Sequence, residues 1–345
     1  MEFFKTVFVV DDNDTNLAMA ELALEQDYRV VSMPSAAKMF VMLKKITPDL
    51  ILLDIEMPEM DGFEALKILK ATPAYANIPV IFVTNMSDSS NEAYGIELGA
   101  VDFIAKPVSK PVLLNRLKHH LYIGDIINER MTELLKLQNG IVFTMADLVE
   151  SRDKNTGGHI DRIAQYARIL VDAMIKIGLY SDELQAWDKE AFFSATRLHD
   201  LGKIAIPDAV LNKPDSLTDD EFKVMKTHPM ESKKILDKTI ERTDGTEFLL
   251  NAKLAAVYHH ERWDGKGYPY GLEGTDIPLQ GRIVAVVDVY DALVSERPYK
   301  KPLTDDEAMK AIEDGSGKQF DPNIVKVFID LKEKVNAERH KLAQA

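Results

Sequence analysis

Three short apolar runs that end in acids or a hydroxyl constrain the fold of this chain more than any other feature. TVFVV (6–10) runs into Asp11 and Asp12, LILL (50–53) into Asp54, and PVIFV (79–83) into Thr84, while VDFIA leads to Lys106-Pro107. Unbroken apolar runs of this length fit parallel strands covered on both faces, not strands half open to water. Helical patterns at 15–26 and 62–70 fall between them, so the alternation predicts a doubly wound α/β sheet with its site at the strand carboxyl ends. Asp11, Asp12, Asp54, Thr84 and Lys106 would converge there. Crowded carboxylates repel one another, and Mg²⁺ with oxygen ligands is the natural ion to neutralise them.

The remaining two thirds of the chain read differently. The stretch HHERWDGKGYP (259–269) sets adjacent histidines and several acids beside residues that cannot continue a helix. Taken alone, His259-His260 fits a polar loop as well as a metal site. His159 closes SRDKNTGGH, His199 precedes Asp200 in RLHDLGK, His228 precedes Pro229, and RIVAVVDVYDAL places Asp288 and Asp291 on one helical face. His159, His199, Asp200, His228, His259, His260 and Asp288 therefore form the candidate ligand set. With Cys 0 there are no thiolates, and histidines with carboxylates suit two hard or borderline ions bridged by a carboxylate. Paired ions of that kind, about 3.5 to 4 Å apart, are suited to in-line attack on phosphorus.

His199-Asp200 with Gly202-Lys203, followed by HHERWDGKGYP, resembles the HD-GYP family of metal-dependent phosphodiesterases over roughly residues 140–340. The resemblance implies an all-helical domain that hydrolyses cyclic di-GMP. It also implies that His199, Asp200, His228, His259, His260 and Asp288 are ligands, with Asp200 bridging two divalent transition metals: Fe, Mn, Ni or Zn. His159 matches the histidine of the family's TGxH run, as a terminal ligand or as a group beside the ligands. Lys203, Arg297 and Lys300 match basic positions that hold phosphate oxygens. Asn155 stands where some relatives carry a Glu that helps to assemble a third metal, so a binuclear site is expected. Ser232, where many relatives have Gly, is expected to concern packing.

Residues 5–122 resemble the response-regulator receiver domain, with Asp-Asp, DIEMPEMDG, Thr84 and Lys106-Pro107 in order. By that resemblance Asp54 accepts phosphate from a histidine kinase. Asp11 and Asp12 hold Mg²⁺ with Asp54 and the Glu56 backbone carbonyl, Thr84 and Lys106 contact the phosphoryl group, and Phe103 is the aromatic switch.

The expected organisation is a flavodoxin-like receiver at 1–122, a helical linker at 123–150 and an all-α HD-type phosphohydrolase domain at 151–345. Apolar residues at 127, 131, 134, 141, 145 and 148, interrupted by Gln138, repeat at four-three spacing in the linker. Two readings stay open for this stripe: pairing with a second copy in a homodimer, or packing on the chain's own catalytic domain. A hydrophobic fraction of 46% over 345 residues can support two cores. The net charge of -14 argues against DNA as a partner. No apolar run is long enough to span a membrane, and MEFFKTVFVV is too soon acidic for a signal peptide, so a cytoplasmic location is expected. The two resemblances together imply a response regulator that cleaves cyclic di-GMP to pGpG, with further cleavage to GMP left open, under the control of Asp54 phosphorylation. Alternatives are cleavage of another cyclic dinucleotide such as cyclic GMP-AMP, or a non-catalytic module whose Gly267-Tyr268-Pro269 loop binds a diguanylate cyclase.

Overall fold

A computed structural model of the chain describes residues 4–84, 89–152, 158–296 and 301–342. The chain divides into two units, Met1–Leu134 and Leu135–Ala345.

The first unit is built on a 5-stranded parallel sheet: β1 (Thr6–Val10), β2 (Arg29–Met33), β3 (Leu50–Leu53), β4 (Val80–Thr84) and β5 (Asp102–Ala105), in the order β2-β1-β3-β4-β5. Side chains alternate across the pleat. Val7 and Val9 face one side, with Leu17, Leu113 and Leu117, and Phe8 and Val10 face the other, with Met39 and Leu66. Because helices cover both faces, β1 and β3 are buried throughout and apolar apart from Thr6 at the start of β1, which explains their apolar runs. The edge strand β2 is mostly only half-buried and reads RVVSM, which is why its sequence signal is weak.

Register brings the strand ends together. Val10 pairs with Leu53, so Asp11 and Asp54 emerge side by side, and Thr84 pairs with Ala105, which Lys106 follows. Gly62 opens the helix Gly62–Ala71, capped by Asp61. A Cβ on Gly62 would lie 2.4 Å from the Asp54 carbonyl oxygen, so only glycine lets the chain return this close to the acid mouth.

The second unit is helical. The helix His159–Lys176 packs with Leu279–Val294 in a core containing Tyr166, Leu170, Val286 and Tyr290, and the helices Glu247–Tyr258 and His228–Arg242 pack against each other. Inside it, Arg282 donates to Asp321 at 2.8 Å and to the Ile277 carbonyl, and Asp321 also accepts from Tyr180 Oη at 2.7 Å. Asp321 in turn caps the helix Pro322–Asp330.

The helix Lys110–Arg152 contributes residues to both units. Leu113, Leu117 and Leu121 pack against the sheet, Val142 and Ala146 pack with Ile160, Leu198 and Ala256, and Val149 is buried. The four-three stripe is a different one: Ile127, Met131, Leu134, Ile141, Met145 and Leu148 are all exposed. Among the described residues, no helix is long and apolar enough to cross a membrane.

Arg282→Ala leaves Asp321 charged, buried and short of its partner, which costs about 3 to 5 kcal/mol. Urea unfolding followed by tryptophan fluorescence checks this for the second unit alone, because both tryptophans, Trp187 and Trp263, lie there. A loss below about 1 kcal/mol would show the pair to be dispensable.

Candidate metal centre

The residues of the helical unit that carry the chemistry come from segments far apart in sequence. His159 begins the helix His159–Lys176, His199 and Asp200 lie in the turn between two short 3-10 helices, and His228 begins His228–Arg242. His259 and His260 follow Glu247–Tyr258, and Asp288 lies within Leu279–Val294.

Backbone geometry aims three of the imidazoles. His199 Nδ1 lies 2.9 Å from the Thr196 carbonyl, His228 Nδ1 2.9 Å from Met225, and His259 Nδ1 3.1 Å from Ala255 and from Ala256. A carbonyl oxygen only accepts, so each Nδ1 carries a proton and each Nε2 is turned inward. Those Nε2 atoms converge on Asp200. His228 Nε2 is 3.3 Å and His259 Nε2 3.7 Å from Asp200 Oδ1, while His199 Nε2 is 3.4 Å from Asp200 Oδ2. Asp288 Oδ1 lies 3.4 Å from His159 Nε2 and 3.8 Å from His199 Nε2.

Two groups with metal-binding spacing result, Asp200-His228-His259-His260 and His159-His199-Asp200, sharing one carboxylate. The fit to metal rests on unmet bonding capacity. Asp200 Oδ1, His228 Nε2 and His259 Nε2 are buried and have no hydrogen-bond partner, an arrangement that costs stability unless an ion completes it.

Electrostatics separates the two groups. Burial opposes charge on His199, but the Asp200 and Asp288 carboxylates outweigh it and push its pKa up to about 9. Burial, reinforced by neighbouring imidazoles, pushes His259 down to about 3 and His260 well below the usual histidine range. Burial opposes ionisation of Asp200, yet Lys203 and the imidazoles hold it well below the ordinary carboxylate range. The centre is thus a carboxylate with neutral imidazoles, His228, His259 and His260, on one side and the cationic His199 on the other.

Lys203 Nζ lies 2.8 Å from Asp200 Oδ2. The sequence suggested an ammonium over a substrate phosphate, whereas here it sits on the shared carboxylate. Lys203, Asp200, His159 and Arg197 line a small pocket, with Glu150 on its wall. Arg297, Lys300 and Asn155 lie outside the described residues.

HHERWDGKGYP is largely scaffold. Glu261 is buried and accepts from the backbone N–H of Tyr270 at 2.7 Å and of Leu272 at 3.1 Å, and Arg262 pairs with Asp264 at 2.8 Å. A Cβ on Gly267 would lie 2.3 Å from Arg262 N. This folded-back loop stacks Tyr268 on His260, with ring centroids 4.8 Å apart.

Some contacts had no legible sequence signal. Asp291 bonds His159 Nδ1 at 2.7 Å, and the Glu150 carboxylate accepts from His159 N at 3.1 Å. Ser232 Oγ accepts from Gly202 N at 2.7 Å, tying the His199-Asp200 turn to the His228 helix. Ser232 is therefore a hydrogen-bonding residue as well as a packing one.

In the receiver unit, Lys106 Nζ reaches Asp11 Oδ2 at 2.7 Å and Asp54 Oδ2 at 2.8 Å, while Asp54 Oδ1 accepts from Ile55 N at 2.8 Å. Burial raises the Asp54 pKa despite the opposing pull of Lys106. Asp11, Asp12 and Asp54 form a third group with metal-binding spacing. Asp12 and Glu56 are exposed, and Thr84 is buried at the end of β4. Phe103 is half-buried, tilted on Phe82 at 5.1 Å, against Gly95.

The two units thus define a class: a receiver domain joined to a helical hydrolase built around a histidine-carboxylate metal centre. Residues 7–118 match the response regulator receiver domain and residues 144–324 match the HD domain, which implies a divalent metal ion. The chain is 40% identical over 339 residues to a probable cyclic di-GMP phosphodiesterase of Vibrio cholerae, covering 94% of this chain and 77% of the relative. It is 36% identical over 295 residues to the cyclic di-GMP phosphodiesterase response regulator RpfG of Xanthomonas campestris, covering 81% of this chain and 75% of the relative. A 3'3'-cGAMP-specific phosphodiesterase of Vibrio cholerae is 36% identical over 200 residues, 58% of this chain and 36% of that protein. The chain belongs to the family of response regulators that join a receiver domain to an HD-type cyclic dinucleotide phosphodiesterase domain.

If Asp200 serves both groups, Asp200→Asn lowers bound manganese to below about one ion per chain, whereas His260→Ala leaves about one. Elemental analysis of the manganese-loaded, desalted proteins reads this, and equal losses in both variants would contradict the shared role.

Proposed function

We propose that the protein hydrolyses cyclic di-GMP to the linear pGpG at a binuclear centre, under the control of phosphorylation at Asp54. The observation that carries this reading is the single carboxylate, Asp200, with one oxygen toward His228 and His259 and the other toward His199. His228, His259 and His260 would hold one ion, and His159, His199 and Asp288 the other, with Asp200 shared. Such ions, whether Fe, Mn, Ni or Zn, lower the pKa of water and offset charge on a phosphodiester in the transition state. Asp200 sets their spacing and Lys203 supplies a cation beside them. Arg297 and Lys300 would add phosphate contacts. Cyclic GMP-AMP remains a second substrate reading, favoured by the similarity to the cGAMP-specific relative.

Control would run from Asp54, with Mg²⁺ at Asp11, Asp12 and the Glu56 carbonyl, and with Thr84, Phe103 and Lys106 as the responding residues. A histidine kinase is the expected phosphate donor. The linker helix is suited to carry the signal, since its last turns contact the centre's own supports. Arg152 donates to the Ile204 and Ile206 carbonyls and pairs with Asp208 at 2.7 Å, just beyond Lys203, and Glu150 meets His159. The exposed stripe from Ile127 to Leu148 would pair with a second copy, while Val142, Ala146 and Val149 stay on the chain's own domain. The readings that the sequence left open therefore concern different faces of one helix and are compatible. We further propose a cytoplasmic location and a receiver-to-catalysis boundary within residues 123–150. A diguanylate cyclase would bind the Gly267-Tyr268-Pro269 rim.

Metal-loaded protein incubated with cyclic di-GMP, with products resolved by chromatography, yields pGpG, and Asp200→Asn yields none. Intact cyclic di-GMP with consumed cyclic GMP-AMP would select the second reading, and survival of both would refute hydrolysis. Phosphorylation changes the rate, and Asp54→Asn removes that change. Arg152→Ala keeps phosphate uptake but reduces the rate change several-fold, measured as the ratio of phosphorylated to unphosphorylated rates. An unaltered ratio would exclude this contact from the control route.

A further inference from the structure

His159 differs from the other aimed imidazoles in what holds its Nδ1. His199, His228 and His259 each turn that nitrogen to a neutral backbone carbonyl, but His159 turns it to a carboxylate, Asp291 Oδ2, at 2.7 Å. The helix Leu279–Val294 thereby addresses both nitrogens of one ring: Asp291 meets Nδ1, and Asp288, one turn earlier, lies 3.4 Å from Nε2.

Asp291 is itself fixed. It is fully buried, Arg162 Nε donates to its Oδ1 at 2.7 Å and Arg162 Nη2 to its Oδ2 at 3.0 Å, and Ser295 Oγ donates to Oδ2 at 3.3 Å. Arg162 sits one turn after His159 on the same helix, so the clamp ties the start of that helix to the helix bearing Asp288. The help is needed locally. Gly158 precedes His159 with φ 71° and offers no side-chain cap, leaving the first turn without a side-chain tie from its own N-cap.

We propose that Asp291, held by Arg162, is a positioning residue that makes His159 a ligand of the ion shared with His199, Asp200 and Asp288. A carboxylate accepting from Nδ1–H fixes the tautomer whose Nε2 lone pair faces Asp288 and His199, and it makes that nitrogen a stronger donor than a backbone carbonyl would. The residue therefore biases one half of the centre and leaves the half built on His228, His259 and His260 unaffected. This inference rests on the binuclear reading, and the test separates the two.

Manganese is titrated into metal-free full-length protein by calorimetry for the parent, Asp291→Asn, His159→Ala and the combined variant. The parent takes up two ions. Asp291→Asn, which keeps the shape but replaces one accepting oxygen by an amide nitrogen that only donates, weakens one of them by roughly 10- to 100-fold and leaves the other unchanged. His159→Ala weakens the same ion, and the combined variant is no weaker than His159→Ala, because Asp291 acts through that ring. Unchanged binding in Asp291→Asn, equal weakening of both ions, or additive losses would overturn the proposal while leaving the binuclear reading intact. One ion in the parent would overturn the binuclear reading and the proposal with it. Where a variant fails to fold, long-range proton-nitrogen NMR on histidine-labelled parent protein decides the point. An Nδ1-protonated His159 is expected in the metal-free protein, and an Nε2-protonated ring would overturn the proposal.

Discussion

The Asp200 carboxylate sits where imidazoles from separate segments converge, and the helical unit can be understood as the means of holding it there. A buried carboxylate is unfavourable unless cations or donors surround it. Of the histidines near it, His228 and His259 have unmet Nε2 atoms, and Oδ1 of Asp200 itself is unmet. Lys203 supplies a fixed positive charge 2.8 Å from Oδ2. The structure thus keeps polar groups buried and unsatisfied in one place. The surrounding packing, from Tyr166 to Phe328, is dense and apolar enough to sustain that local cost. Cations bound there would meet this deficit and supply the charge that the proposed hydrolysis needs.

Neighbouring residues make sense as supports for that arrangement. Backbone carbonyls fix the histidine tautomers, Ser232 ties the His199-Asp200 turn to the His228 helix, and Glu261 folds the loop that stacks Tyr268 on His260. The last turns of the linker helix join this support through Glu150 and Arg152. The control proposed above would act through these contacts, on the His159 helix and on the turn after Lys203. Control in such a system is a change in the relative stability of two arrangements of those contacts, not a wire between sites.

What could be read from the sequence follows from which features are local. The buried strands β1, β3 and β4 announced themselves because covering by helices on both faces demands unbroken apolar runs, and their register then sets Asp11, Asp54, Thr84 and Lys106 together. The edge strand β2 escaped, since half its surface can be polar. In the second unit the histidines drew attention by chemistry alone, and the structure gathers His159, His199, His228, His259 and His260 with Asp200 and Asp288. Asp291 was visible only as a neighbour of Asp288. Its bond to His159 spans 132 residues, and no periodicity encodes a contact of that kind. Glu150 and the hydrogen bond of Ser232 to Gly202 escaped for the same reason, and the pairing of Lys203 with Asp200 depends on a tight 3-10 turn that spacing does not specify.

The central claim, that one carboxylate joins two ions, is tested most directly by electron paramagnetic resonance of the manganese-loaded protein. Ions bridged by Asp200 at about 3.5 to 4 Å are exchange-coupled and give a multiline spectrum spread over a wide field range. An isolated six-line spectrum at two ions per chain would place them apart and contradict the account.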